Sequence, residues 1–86
     1  MNGKRRKALA AIITRLEELD GMREEIMEQL QEVIDEEQEA LDNMPESLQN
    51  SERGQQMQEY IDTMESVTGD LDLIDVESLI DQLREI

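Results

Sequence analysis

Carboxylates are the only abundant groups in this chain with chemical potential: 23 Asp and Glu stand against 8 Lys and Arg, with no His and no Cys, in 86 residues. Without His or Cys, no Ser-His-Asp or Cys-His nucleophile can be assembled. Carboxylates act as acids, bases or ligands only when burial or a metal changes their properties. Asp70, Asp72 and Asp81 fall at positions 1, 3 and 12 of a twelve-residue calcium loop, but Ile74 replaces the ligand at position 5. Asp75 stands at position 6, where the loop needs glycine. These acids therefore read as turn and N-cap residues. A di-iron bundle requires Glu-x-x-His, which the chain lacks. No catalytic, cofactor-binding or metal residue is expected.

The acid array can act through charge alone. Carboxylates at i, i+3 and i+4 on a helix lie about 5–6 Å apart, near the scale of phosphate spacing. A rigid acidic helix could then occupy the basic groove of a protein that handles nucleic acid. The outward acids expected to make such contacts are Glu24, Glu28, Asp35, Glu36, Glu39, Glu59, Asp62 and Glu65. The alternative is an ordinary solvated face that keeps an oligomer soluble. Net charge is −15, and every acid lies at or after Glu17. The basic tetrad Lys4–Lys7 has no aromatic companions and faces that acidic remainder, so direct nucleic-acid binding is not expected. No apolar run approaches the ~20 residues that span a bilayer, so a cytoplasmic protein without membrane contact is the default.

The elements that must carry these acids are helical. From Lys4 to Asp42 apolar residues recur at Leu9, Ile12, Leu16, Leu19, Ile26, Leu30, Val33, Ala40 and Met44, interrupted by Arg23 and Glu37. A second line, Ile13, Met27, Ile34 and Leu41, broadens this seam, with Asp20 as its polar member. Pro45 ends the helix, whose length would be about 57 Å. Its bases at the start and acids at the end oppose the helix dipole, and Gly21 interrupts it. Residues 43–51 read as a connector, with Leu48 available to plug the hairpin end and Ser51 as N-cap of a second helix. Met57, Tyr60, Met64, Val67, Leu71 and Ile74 continue the spacing, with Ile61 beside them. The phase then slips before Val76, Leu79, Ile80, Leu83 and Ile86, which predicts a break near Gly69–Asp75 with Asp72 or Asp75 as cap. The methionines at 22, 27, 44, 57 and 64 read mostly as core fillers.

The expected fold is all-α: one hairpin domain over residues 1–86, with helices at about 4–42, 51–68 and 72–85. Antiparallel partners would sum to 93, setting Gly21 against Asp72 and Lys4–Lys7 against Asp81 and Glu85. Arg23, on the apolar seam, would pair with Asp70 or a carboxylate of a second chain. Because a hairpin leaves one side of its seam open, dimerisation into a helical bundle is expected. An antiparallel dimer through the first helix would bring Lys4–Lys7 near Glu36–Asp42 of its mate.

Glu25-x-x-Glu28 and Glu39-x-x-Asp42 resemble the carboxylate pattern of all-α nucleotide pyrophosphohydrolases, which bind magnesium. The chain is short for that helix set, and so many acids produce such spacings by chance. The segment Glu36–Glu65 resembles small acidic phage and prophage proteins in which a D-N-x-P-E-x-L-Q-x-S-E-R turn joins two acidic helices. Asp42, Asn43, Pro45, Glu46, Leu48, Gln49, Ser51, Glu52 and Arg53 carry that likeness. It implies a helical hairpin of phage origin and no catalytic residues. Small acidic phage proteins often inhibit host defence, including restriction and CRISPR nucleases. The implied function is thus inhibition of a basic, nucleic-acid-handling host protein; the alternative is a structural or accessory oligomeric coiled-coil phage protein.

Overall fold

The computed structural model describes residues 1–86 as four helices with no strand. These are α1 (Gly3–Asp42), α2 (Glu46–Gln49), α3 (Glu52–Asp72) and α4 (Val76–Arg84). The outgoing helix α1 is covered along its length by α3 and then α4. The result is an all-α rod whose Cα atoms extend over 69 × 15 × 13 Å. Its radius of gyration is 20.1 Å, where a compact chain of this length would have roughly 12 Å.

Local chemistry sets the ends of each element. Asn2 caps α1, its side chain accepting the Arg5 amide at 2.9 Å. The helix stops at Asp42, and Pro45 then serves as N-cap of the single-turn α2, so the expected connector contains one turn of helix. Leu48 does not plug the hairpin end; it is exposed. The end is closed by the Gln49 side-chain amide, which donates to the carbonyls of Met44 at 2.9 Å and Asp42 at 3.3 Å. Gly54 completes the closure: a Cβ there would lie 2.7 Å from the Leu48 carbonyl oxygen and closer still to the Gln49 carbonyl. Ser51 caps α3 as its sequence position predicts, accepting the Gly54 amide at 3.4 Å.

The break in the return arm is shorter and later than the sequence suggests. Instead of stopping at residue 68, α3 continues through Gly69 to Asp72, and only Leu73–Asp75 leave the helix. Thr68 does not interrupt it, because its hydroxyl donates back to the Met64 carbonyl at 3.0 Å. Of the two candidate caps Asp75 is the one used, accepting the Ser78 amide at 3.0 Å. The three-residue gap corrects the phase slip. Ile74 stays outside, while Val76 and Ile80 enter the seam as buried residues.

The two apolar lines of α1 exchange the roles expected of them. Ile34 and Leu41, from the line that begins at Ile13, form the central cluster with Ile61, flanked by Met44, Met57 and Met64. The Ile12–Leu19–Ile26–Val33 line is exposed instead. The same exchange occurs on α3. Ile61 is 1% exposed, whereas Tyr60 and Val67 face solvent. Met22, expected in the core, is exposed as well. One neighbouring helix covers a strip narrower than three apolar lines, so a hairpin must leave one line bare.

The antiparallel pairing is within one residue of the expected register, but its polar contacts differ. Arg23 does not meet Asp70. Its Nε donates to Asp20 Oδ1 at 2.9 Å and its Nη1 to the Leu71 carbonyl at 3.0 Å, so 23 and 71 sum to 94. Asp20, Arg23 and Asp72 line one recess, which places Gly21 and the return-arm break at the same height. The tetrad Lys4–Lys7 forms no ion pair with Asp81 or Glu85. Arg6 alone reaches across, to the Ile86 carbonyl at 3.4 Å. The restored phase of α4 instead presents Arg84 to Glu17, at 2.8 Å.

Candidate functional site: an outward acidic ridge

Each residue of an α-helix turns the chain by 100°, so locating the seam locates every other face of α1. Directly away from α3 and α4 lie Glu18, Glu25, Glu32 and Glu39, with Glu28, Asp35 and Asp42 beside them; all are exposed. Taken in order, Glu25, Glu28, Glu32, Asp35, Glu39 and Asp42 step by three and four residues. They form an unbroken ridge with about 5 Å of axial rise per carboxylate. No Lys or Arg interrupts it.

Neutral neighbours hold part of this array. Gln31 Nε2 donates to Asp35 and Gln38 Nε2 to Asp42, both at 2.9 Å, and Gln58 does the same for Asp62 on α3. Glutamine four residues before an aspartate orients the carboxylate and supports the helix without cancelling charge. The charge of the ridge therefore stays available to a partner.

The eight acids singled out from the sequence are all exposed, yet they do not form one surface. Glu28, Asp35 and Glu39 belong to the ridge. Glu59 and Asp62 occupy the outer side of α3, on the opposite edge of the hairpin. Glu24 and Glu65 lie on the broad polar face between those edges, where Gln31, Thr68 and Asp72 line a shallow recess with Glu65. Glu36 borders the exposed Ile12 line. Sequence reasoning did not include among the contacts Glu25, Glu32 and Asp42, which complete the ridge, or Glu18, which shares their side of α1 but is set apart by Gly21. Choosing the Ile13 line as the buried one would have found Glu18, Glu25 and Glu32, which lie about half a turn from it, with Asp42 beside them.

The carboxylates do not converge. Glu25, Glu28, Glu39 and Asp42 follow one another along the ridge rather than facing across a cleft. Asp70 and Asp72 belong to α3 and Asp81 to α4, and no three acids gather with metal-holding geometry. No helix is long and apolar enough to cross a membrane. No family model, curated protein or solved structure matches the chain.

Proposed function

We propose that this chain is a non-enzymatic binding protein whose α1 ridge occupies the basic surface of a host protein that handles nucleic acid, as a phage inhibitor of restriction or CRISPR nucleases would. The observation that carries this reading is the continuity of the ridge: six carboxylates at helical spacing, exposed, without an intervening base. A linear array of fixed negative charge steers a cationic groove toward it and competes there with a phosphate backbone. The resemblance of the Glu36–Glu65 segment to small acidic phage proteins supports the same reading, as does a net charge of −15.

A second reading, an accessory oligomeric coiled-coil protein whose acids only confer solubility, is favoured by the exposed apolar line on α1. One experiment separates the two. The protein is immobilised, bacterial host lysate is passed over it, and retained protein is identified and assayed for nucleic-acid binding. The expected partner elutes with salt, loses nucleic-acid binding when the protein is added, and is not retained by a Glu25→Gln/Glu28→Gln/Glu32→Gln/Asp35→Asn variant. Retention unchanged by that variant, or by 1 M salt where the Debye length is about 3 Å, would sink the inhibitory reading.

A further inference from the structure

The face left bare by the hairpin is continuous. In an antiparallel helix pair, equivalent lines of the two helices lie on the same side. The exposed Ile12, Leu19, Ile26 and Val33 of α1 therefore share a face with the exposed Tyr60, Val67 and Ile74 of the return arm. Leu19, Met22 and Ile26 meet Leu71 and Ile74 in a common apolar recess. The exposed Leu79 and Ile86 extend the face toward the N-terminal end of α1.

Area and charge both argue for what covers it. Only five apolar residues are buried, and the chain exposes 6718 Å². A compact monomer of 10.0 kDa would expose about 5,200 Å². The surplus of about 1,500 Å² exceeds the roughly 800 Å² that each member of a standard interface contributes. The face is also the one region where the charge is balanced. On the Ile12 line, its α3 equivalent and the lines beside them, Glu36 and Asp70 are offset by Arg15 and Arg53. Every other long face is acidic and would repel a copy of itself.

We infer that this face is covered by a second copy of the chain, stacked antiparallel, α1 on α1, with the two-fold axis at Ile26. Two face-to-face orders bring apolar layers together. In the parallel order α1 packs on the return arm of the partner, and Ile26 meets Val67 of the partner subunit. In the antiparallel order Ile26 meets its own equivalent and Leu19 meets Val33 of the partner subunit. Only the antiparallel order also sets Arg15 against Glu36 of the partner subunit, twice, and Lys4–Lys7 against the acidic turn at Asp42 and Glu46. That pairing accounts for bases at the start of α1 and acids at its end. The two ridges then run along one edge of the bundle, where solvent screens their repulsion beyond about 8 Å at physiological salt.

The test uses the full chain. Sedimentation equilibrium is expected to return twice the 10.0 kDa chain mass at micromolar concentration. Arg15→Glu should weaken association about tenfold, since each copy then faces like charge, and Arg15→Glu/Glu36→Arg should restore it. Both substitutions are on exposed positions, so helicity by circular dichroism stays unchanged. The chain has no cysteine, so Ile26→Cys should cross-link to itself under mild oxidation. A monomer at high micromolar concentration overturns the proposal. So does Ile26→Cys that cross-links only when mixed with Val67→Cys, which is the signature of the parallel order, or a charge swap that fails to restore association.

Discussion

The Arg23 guanidinium donates to the Leu71 carbonyl at 3.0 Å, joining the middle of α1 to the last turn of α3. Nothing basic lies in that last turn, and the terminal carbonyls of a helix favour a nearby cation. Arg23 supplies the charge from across the hairpin. Asp20, one turn back, balances it at 2.9 Å, and both side chains are less than a third exposed, at 16% and 29%. The one base on the seam thus adds a charged donor to the backbone cap that Leu73 gives the opposite helix.

Removing only one member of that group should hurt more than removing two. Arg23→Ala leaves Asp20 part-buried without its cation, and is expected to lower stability by about 1–3 kcal/mol. The Asp20→Ala/Arg23→Leu double variant is expected to come within about 1 kcal/mol of the parent, because apolar packing can replace a desolvated pair. Urea unfolding followed by helical circular dichroism, at one fixed protein concentration, checks both.

The glycines should respond oppositely to alanine. At Gly21 and Gly69 a Cβ meets nothing within 4 Å, so each Gly→Ala change should add about 0.5–1 kcal/mol by improving helix propensity. Gly54→Ala drives a methyl into the Leu48 and Gln49 carbonyls and should cost about 1–3 kcal/mol. Thermal melts of the three variants give the signs directly; a stabilised Gly54→Ala would refute the closure described for the hairpin end.

The short α4 should open alone. It has nine residues, held to α1 by the buried Val76 and Ile80 and capped by Asp75. Ile80→Ala should cost about 2–5 kcal/mol locally, and Asp75→Ala about 1 kcal/mol. Amide hydrogen exchange should accelerate over 76–84 while the amides around Ile61 keep their protection. Uniform acceleration across both helices would mean that α3 and α4 unfold as one unit.

Salt should stabilise the fold. A net charge of −15 imposes self-repulsion along the rod, and screening reduces it. Raising NaCl from low millimolar to about 0.5 M, where the Debye length is well under 8 Å, should raise the melting temperature. Replacing Glu25, Glu32 and Glu39 with Gln should raise it at low salt and shrink the salt effect. A melting temperature that falls with salt would show that cross-hairpin ion pairs such as Glu17–Arg84 outweigh the repulsion.

Much of this molecule is written in local sequence. Helix ends depend on neighbours a few residues away, so Pro45 marks the stop of α1, Ser51 starts α3, and Asp75 starts α4 after the phase slip. The near-equal length of the two arms follows from the same markers, and with it a register correct to one residue. Surface acids were also legible as exposed, since carboxylates of this number cannot be buried without partners.

Which apolar line is buried was decided only by tertiary structure. The Ile12 and Ile13 lines flank the same Leu9–Leu16–Leu30 row, and local preference favours burying the first, because the second carries Asp20. The packing of Ile61 from α3 with Ile34 and Leu41 chose the second, and that choice rotated every other face. It gathered Glu25 through Asp42 into one ridge, dispersed the eight expected acids over four parts of the surface, and left Ile12 to Val33 bare. The partner of Arg23 was beyond sequence for the same reason. A backbone carbonyl at a helix end carries no residue type, and it becomes a cation's partner only when the chain returns beside it.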